Sequence, residues 1–147
     1  MVRFVTVFTE LVRVEIELWN ELEAHLDGTV GVTLSQFQAL SAIEAADGSA
    51  RVQDISGEMA ITVGAASKVV DRLERDGLAQ RSAHPTDRRS SIVSLTERGG
   101  KVLAEADAAA EEHLSAVLGD VLAHDRREGL LMQLIALRAT ARAEVAK

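Results

Sequence analysis

The stretch VQDISGEMAITVGAASKVVDRLERDGLAQRSAHPTDRRSSIVSLT, residues 52–96, decides how the chain folds. Val52, Ile55 and Met59 recur at spacings of three and four, which predicts a short helix with one apolar face. Ala60-Ile61-Thr62 reads as a tight turn that buries Ile61 and leaves Thr62 to cap the next helix. A threonine hydroxyl suits that place because it accepts a hydrogen bond from an otherwise unpaired amide. Over residues 63–76 a second helix puts Ala66, Val69, Val70 and Leu73 on one stripe. Its other face carries Gly64, Ala65, Ser67, Lys68, Asp71, Arg72 and Arg75. Gly77 stands where a helix ends in a left-handed conformation. Residues 78–84 and 91–95 then alternate around Pro85-Thr86-Asp87-Arg88-Arg89-Ser90, which predicts a hairpin with a basic tip. Two helices across a tight turn, followed by a basic hairpin, make a winged helix-turn-helix. That shape offers its second helix to the major groove of duplex DNA.

Small residues at the front of the second helix let its backbone approach base edges, and Ser67, Lys68 and Arg72 supply donors for bases or phosphates. An arginine on a thin β-ribbon can enter a minor groove, where narrow A·T tracts concentrate negative potential. Arg88 and Arg89 are so placed, and Asp87 either holds Arg89 extended through a salt bridge or serves as an ordinary turn residue. The expected DNA-contacting set is Thr62, Gly64, Ser67, Lys68, Arg72, Asp87, Arg88, Arg89 and Ser90. Asp71 and Glu74 are expected to pair within the molecule.

The run Thr62-Val63-Gly64-Ala65-Ala66-Ser67-Lys68-Val69-Val70-Asp71-Arg72-Leu73-Glu74-Arg75-Asp76-Gly77-Leu78 resembles the recognition helix of the MarR family of bacterial transcription regulators. Asp87-Arg88-Arg89-Ser90-Ser91-Ile92-Val93-Ser94-Leu95-Thr96-Glu97-Arg98-Gly99 is similar to that family's D-x-R…L-T-x-x-G wing. Order and spacing both match, and flanking helices of suitable length carry the resemblance over nearly the whole chain. It implies a homodimer that represses nearby genes and releases DNA when a small aromatic or anionic effector binds. The pocket in relatives lies between the dimer helices and the DNA-binding lobe, which makes Trp19, Leu22, Phe37 and Leu40 the candidates to line it here. Family members often carry a larger basic side chain where Val63 and Ala65 stand. That departure shifts base readout toward backbone approach, Ser67 and Lys68.

The net charge of −7 runs against DNA binding until it is divided along the chain. Residues 1–50 hold two basic and eight acidic side chains, residues 51–101 nine and seven, and residues 102–147 five and eight. The local balances are −6, +2 and −3, so the positive part is the winged segment, and DNA responds to the field of the surface facing it. Apolar residues make up 47% of the chain, enough for a sizeable core. With no cysteine, disulfides, thiolate metal sites and a thiol redox switch are excluded. No apolar run approaches the roughly 20 residues of a membrane span, and the start does not read as a secretory signal, so the cytoplasm is the expected compartment. His25, His84, His113 and His124 lack metal-type spacing, and neither a metal nor a cofactor is expected. There is no Ser/His/Asp constellation, phosphate-cradling glycine loop or carboxylate pair in a plausible cleft, so no catalytic residue is assigned and no enzyme is expected.

The flanks read as helices. Residues 4–27 carry Phe4, Leu11 and Leu18 at a spacing of seven, with Val5, Val12, Trp19 and Leu26 beside them, and Asp27-Gly28 is the expected stop. So broad an apolar surface requires burial on more than one side. Thr33 and Ser35 begin a second helix to about Ala46, Asp47-Gly48-Ser49 breaks it, and Arg51-Val52 is placed to add a short strand to the wing. Thr96 caps a helix over residues 97–118, and a last helix covers 124–145. The expected fold is mainly α with a small β-wing. It is one domain over 1–147, with a DNA-binding lobe over 33–99 and N- and C-terminal dimerisation helices over 1–30 and 100–147. Two such lobes related by a two-fold axis meet successive major-groove faces about 34–36 Å apart, which predicts a pseudo-palindromic operator on double-stranded DNA. The alternative is a winged helix that docks protein, for which the Asp87-Arg88-Arg89 tip has no use.

Overall fold

Side-chain hydrogen bonds open four of the six helices in the computed structural model, which describes residues 1–146. In chain order the elements are α1 (Phe4–Thr29), α2 (Leu34–Ala45), α3 (Val52–Met59), α4 (Val63–Arg75), β1 (Ala79–Ala83), β2 (Ser91–Leu95), α5 (Glu97–Leu118) and α6 (His124–Val145). Mainly α with a small β-wing is therefore the observed class. Thr33 opens α2 with a capping box: its hydroxyl accepts from the Gln36 N–H at 3.1 Å, and the Gln36 side chain accepts from the Thr33 N–H at 3.0 Å. The Asp54 carboxylate accepts from the Arg51 N–H at 2.8 Å at the start of α3. Thr62 caps α4 through the Ala65 N–H at 3.2 Å, and Thr96 caps α5 through the Gly99 N–H at 2.9 Å.

Three expectations change in detail. Asp27-Gly28 does not stop α1; the helix continues to Thr29, and the chain turns at Gly31, whose φ of +77° suits a residue without a Cβ. Both Val30 and Gly31 N–H groups donate back to the Leu26 carbonyl. The strand-like contact falls on Ala50, whose carbonyl accepts from the Val93 N–H at 2.7 Å. Arg51 and Val52 are instead the N-cap and first residue of α3. Ile61 is half-buried, not buried, because the turn leaves it at the edge of the lobe.

The backbone forms two compact units, Met1–Glu111 and a second from Glu112 onward, with the boundary inside α5. In the first, Leu26, Leu40, Ile43, Ile55, Val70, Leu73 and Val93 are fully buried, so every element from α1 to β2 except β1 gives a large side chain to one core. The two strands pair antiparallel with Arg81 opposite Val93 and Ala83 opposite Ser91. α5 begins hard against the end of the lobe: the Thr96 hydroxyl donates to the Gly77 carbonyl at 2.7 Å, and the Thr96 N–H to Leu78 at 3.1 Å. A Cβ added to Gly99 would lie 1.8 Å from the Leu78 carbonyl oxygen, so only glycine fits there. In the second unit, α6 has no buried residue, and Leu131, Met132, Leu134, Ile135 and Leu137 are exposed. Among the described residues no helix is long and apolar enough to cross a membrane.

Candidate nucleic-acid interface

α4 is held by its apolar stripe, with Ala66, Val70 and Leu73 buried and Val69 half-buried. That anchoring turns Lys68, Asp71, Arg72 and Arg75 outward, and their spacings of three and four put them on one stripe. Val63 and Gly64 at the front of the helix are exposed as well, and Thr62 is exposed while its hydroxyl caps the helix. The tight turn before α4 is closed by Ala60 at φ 54°. The Ser56 carbonyl accepts from the Ile61 N–H at 3.2 Å, and the Ser56 hydroxyl donates to Ile61 at 2.7 Å. At the other end Gly77, φ +71°, lets the Leu78 N–H reach the Leu73 carbonyl at 2.8 Å, so the chain leaves α4 directly into β1.

The wing tip is organised by His84. Its Nδ1 accepts from the backbone N–H groups of Thr86 at 3.2 Å and Asp87 at 3.1 Å; that tautomer carries its proton on Nε2, which lies 2.6 Å from Arg51 Nη2 at the start of α3 and so does not accept from it. The loop of the tip is thus shaped by a side chain that the sequence offered only as a non-metal histidine. Asp87 does not reach the guanidinium of Arg89. Its Oδ1 accepts from the Arg89 backbone N–H at 3.0 Å, an Asx turn that shapes the loop, because two residues of turn leave no room for the longer contact. Arg88 and Arg89 are both exposed, and Ser90 is half-buried with its N–H on the Asp87 carbonyl at 3.1 Å.

Asp71 and Glu74 do pair within the molecule, and their partner is Arg81 of β1. Its Nη1 lies 2.8 Å from Asp71 Oδ1 and also engages the Glu74 carboxylate; its backbone N–H donates to Glu74 at 2.9 Å. Nη2 lies 3.4 Å from the Ser67 hydroxyl, one of the expected DNA donors. Burial works against the Arg81 charge, but the hydrogen bonds to Asp71 and Glu74 and their negative charges outweigh it and raise the guanidinium pKa. Arg81 and the buried Gln36, whose amide donates to Asp76 at 2.8 Å, were not among the sequence candidates. Position alone hides them, since their partners lie up to 40 residues away.

Of the four expected effector residues, Leu22 and Leu40 are buried in the core, and Trp19 and Phe37 are half-buried. Trp19 borders a cleft of about 340 Å³ with Glu15, Ile16 and Asn20 of α1. A larger groove of about 410 Å³ runs where Val30, Gly31 and Val32 meet Arg75, Asp76, Leu78, Arg98 and Val102. The Arg98 guanidinium donates to the Asp76 carbonyl there at 2.8 Å.

Residues 30–90, the segment that holds α2, α3, α4 and the wing tip, match the family model described as the MarR family. Through this segment, less than half of the chain, the protein is similar to the MarR family. The HTH-type transcriptional regulator YfiV of Bacillus subtilis (strain 168) is 38% identical over 55 residues, which cover 37% of this chain and 34% of that protein. The chain thus matches about a third of the length of this curated relative. Among solved structures, the transcriptional repressor CouR bound to a 23-mer DNA duplex is 27% identical, covers 88% of this chain and 89% of its own, and superposes with a TM-score of 0.79. The regulator BldR from Sulfolobus solfataricus superposes with a TM-score of 0.84 at 23% identity, over 92% of this chain and 94% of its own. The fold of this chain is the winged-helix fold of these solved regulators.

Proposed function

We propose that this chain is a homodimeric, DNA-binding transcription regulator that represses genes beside a pseudo-palindromic operator and lets go when a small aromatic or anionic compound binds. The observation that carries the DNA reading is the exposed stripe Lys68, Arg72 and Arg75 on α4 beside the exposed Arg88 and Arg89 at the wing tip. A surface helix and a ribbon tip, both cationic and both fixed by buried neighbours, suit a major and an adjacent minor groove. Thr62, Gly64, Ser67, Lys68, Arg72, Arg88, Arg89 and Ser90 are the contacting residues in this reading, with Asp87 shaping the loop that presents the two arginines. The DNA-bound state of the CouR structure supports the same use of the fold.

The homodimer is supported by apolar surface that water would otherwise cover. On α1, Phe4 is 95% and Phe8 66% exposed, with Val5, Val7, Leu11, Val12, Val14 and Ile16 also exposed. Burial of one such side chain is worth about 1.5–3 kcal/mol, which favours covering this face in a homodimer. For the effector, Trp19 and Phe37 are the two candidates with surface to offer. A compound that alters the angle between two lobes alters the spacing of the recognition helices, and so lowers affinity without touching the reading residues.

The deciding experiment is selection of genomic fragments by the purified protein, followed by sequencing, with Arg89→Ala alongside. Recovery of a pseudo-palindrome by the wild type is the expected result. Arg89→Ala should bind it about tenfold more weakly, or more, while remaining a dimer. Recovery of nothing above background by a confirmed dimer would favour the protein-docking alternative.

A further inference from the structure

We infer that Arg81 is the built-in counter-ion that makes a recognition helix bearing two carboxylates compatible with DNA, and the clasp that sets that helix against the wing. This rests on the DNA-binding reading above. α4 carries Lys68, Asp71, Arg72, Glu74 and Arg75, a balance of only one positive charge. Asp71 stands in the middle of the stripe formed by Lys68, Arg72 and Arg75, and its side chain is 60% exposed. A bare carboxylate there faces the phosphates that the three cations are meant to attract, and like-charge juxtaposition at an interface is strongly unfavourable.

Arg81 removes that conflict from the side. It sits on β1 opposite Val93, and Val93 is fully buried and bonded to Ala50, so the backbone under Arg81 has little freedom. From there one guanidinium nitrogen spans Asp71 and Glu74 together, while the Arg81 N–H adds a second bond to Glu74. The side chain is only 25% exposed. It is therefore not a phosphate ligand held in reserve: its donors are spent on α4. A guanidinium suits this place better than an ammonium, since its planar fork holds several acceptors at fixed angles. With Asp71 and Glu74 paired, α4 presents its lysine and two arginines as net positive charge. The same contacts fix the angle between α4 and the ribbon that ends in Arg88 and Arg89, so both grooves are met by one rigid surface.

The test is anisotropy of a labelled alternating dA–dT duplex over a salt series, with folding checked by circular dichroism for each variant. Arg81→Gln exposes both carboxylates and should weaken binding about tenfold or more. Asp71→Asn with Glu74→Gln removes the charges that Arg81 serves and should bind at least as tightly as wild type. Arg81→Gln added to that pair should recover affinity to within about threefold of wild type, which a purely structural clasp would not allow. Arg81→Gln binding as well as wild type overturns the inference, and so does an Asp71→Asn, Glu74→Gln protein as weak as Arg81→Gln. Wild-type protein that ignores the duplex at every salt concentration overturns the DNA-binding reading itself.

Discussion

In the winged-helix lobe Ile55, Val70, Leu73 and Val93 lose all contact with water, whereas on α1 Phe4 and Phe8 keep 95% and 66% of their surface. Both regions carry apolar helix faces, and they differ in what covers them. Each helix of the lobe opens on a side-chain hydrogen bond and turns its apolar stripe onto elements of the same chain. α1 starts at Arg3 without a side-chain cap, has no acid in its first turn, and buries only Leu22 and Leu26 near its end. A helix whose apolar face is uncovered gains little from propensity alone. The lesson is that the lobe buries its apolar faces within one chain, while the front of α1 leaves its apolar face exposed, which is the surface the proposed homodimer would use.

The sharpest way to break this contrast is to make the exposed stripe polar. Phe8→Glu with Leu11→Glu should weaken self-association by about a thousandfold or more, read by light scattering, because each protomer loses two apolar anchors and gains two charges. The lobe should keep its helical signal. A dimer that persists at low micromolar concentration would move the seam away from α1.

Next in size is a change inside the lobe that touches no polar group. Gly99→Ala should cost about 3 kcal/mol in urea unfolding, since the added methyl meets backbone at Leu78 and α5 must shift off the end of α4. A loss below about 0.5 kcal/mol would mean that the α4–α5 joint is softer than the geometry indicates. The smallest effect runs the other way. Ala60 adopts a left-handed conformation that costs an L-residue energy, so Ala60→Gly should raise stability by about 0.5 kcal/mol at unchanged dimer strength. Destabilisation by this variant would show that the Ala60 methyl contributes packing that its exposure hides.

Most of the lobe was legible because its signals are local. Thr33 with Gln36, Thr62 with Ala65, and Thr96 with Gly99 are each three residues apart, so the hydrogen bond is written in the spacing. The heptad-like apolar pattern of the flanks likewise gave helix ends close to those observed. Of the two roles open to Asp87, partner of the Arg89 guanidinium or ordinary turn residue, the structure shows the second, with Oδ1 accepting from the Arg89 backbone N–H. The wing glycine shows the boundary between the two kinds of information. Its position in the L-T-x-x-G pattern is plain in the sequence, but its cause, the Leu78 carbonyl in the space of a side chain, is not.

By itself, then, the sequence determined the order and type of the elements, the capped turns between them, and the placement of positive charge on one segment of an acidic chain. These follow from periodicity and from hydrogen bonds between near neighbours, which need no knowledge of the rest of the molecule. Only the tertiary structure decided which charges remain available. Arg81 meets Asp71 and Glu74, Gln36 meets Asp76, and Arg51 meets His84 because packing of apolar faces brings distant segments together. A charged side chain takes its role from what lies within about 4 Å of it, and that distance is set by the core beneath it.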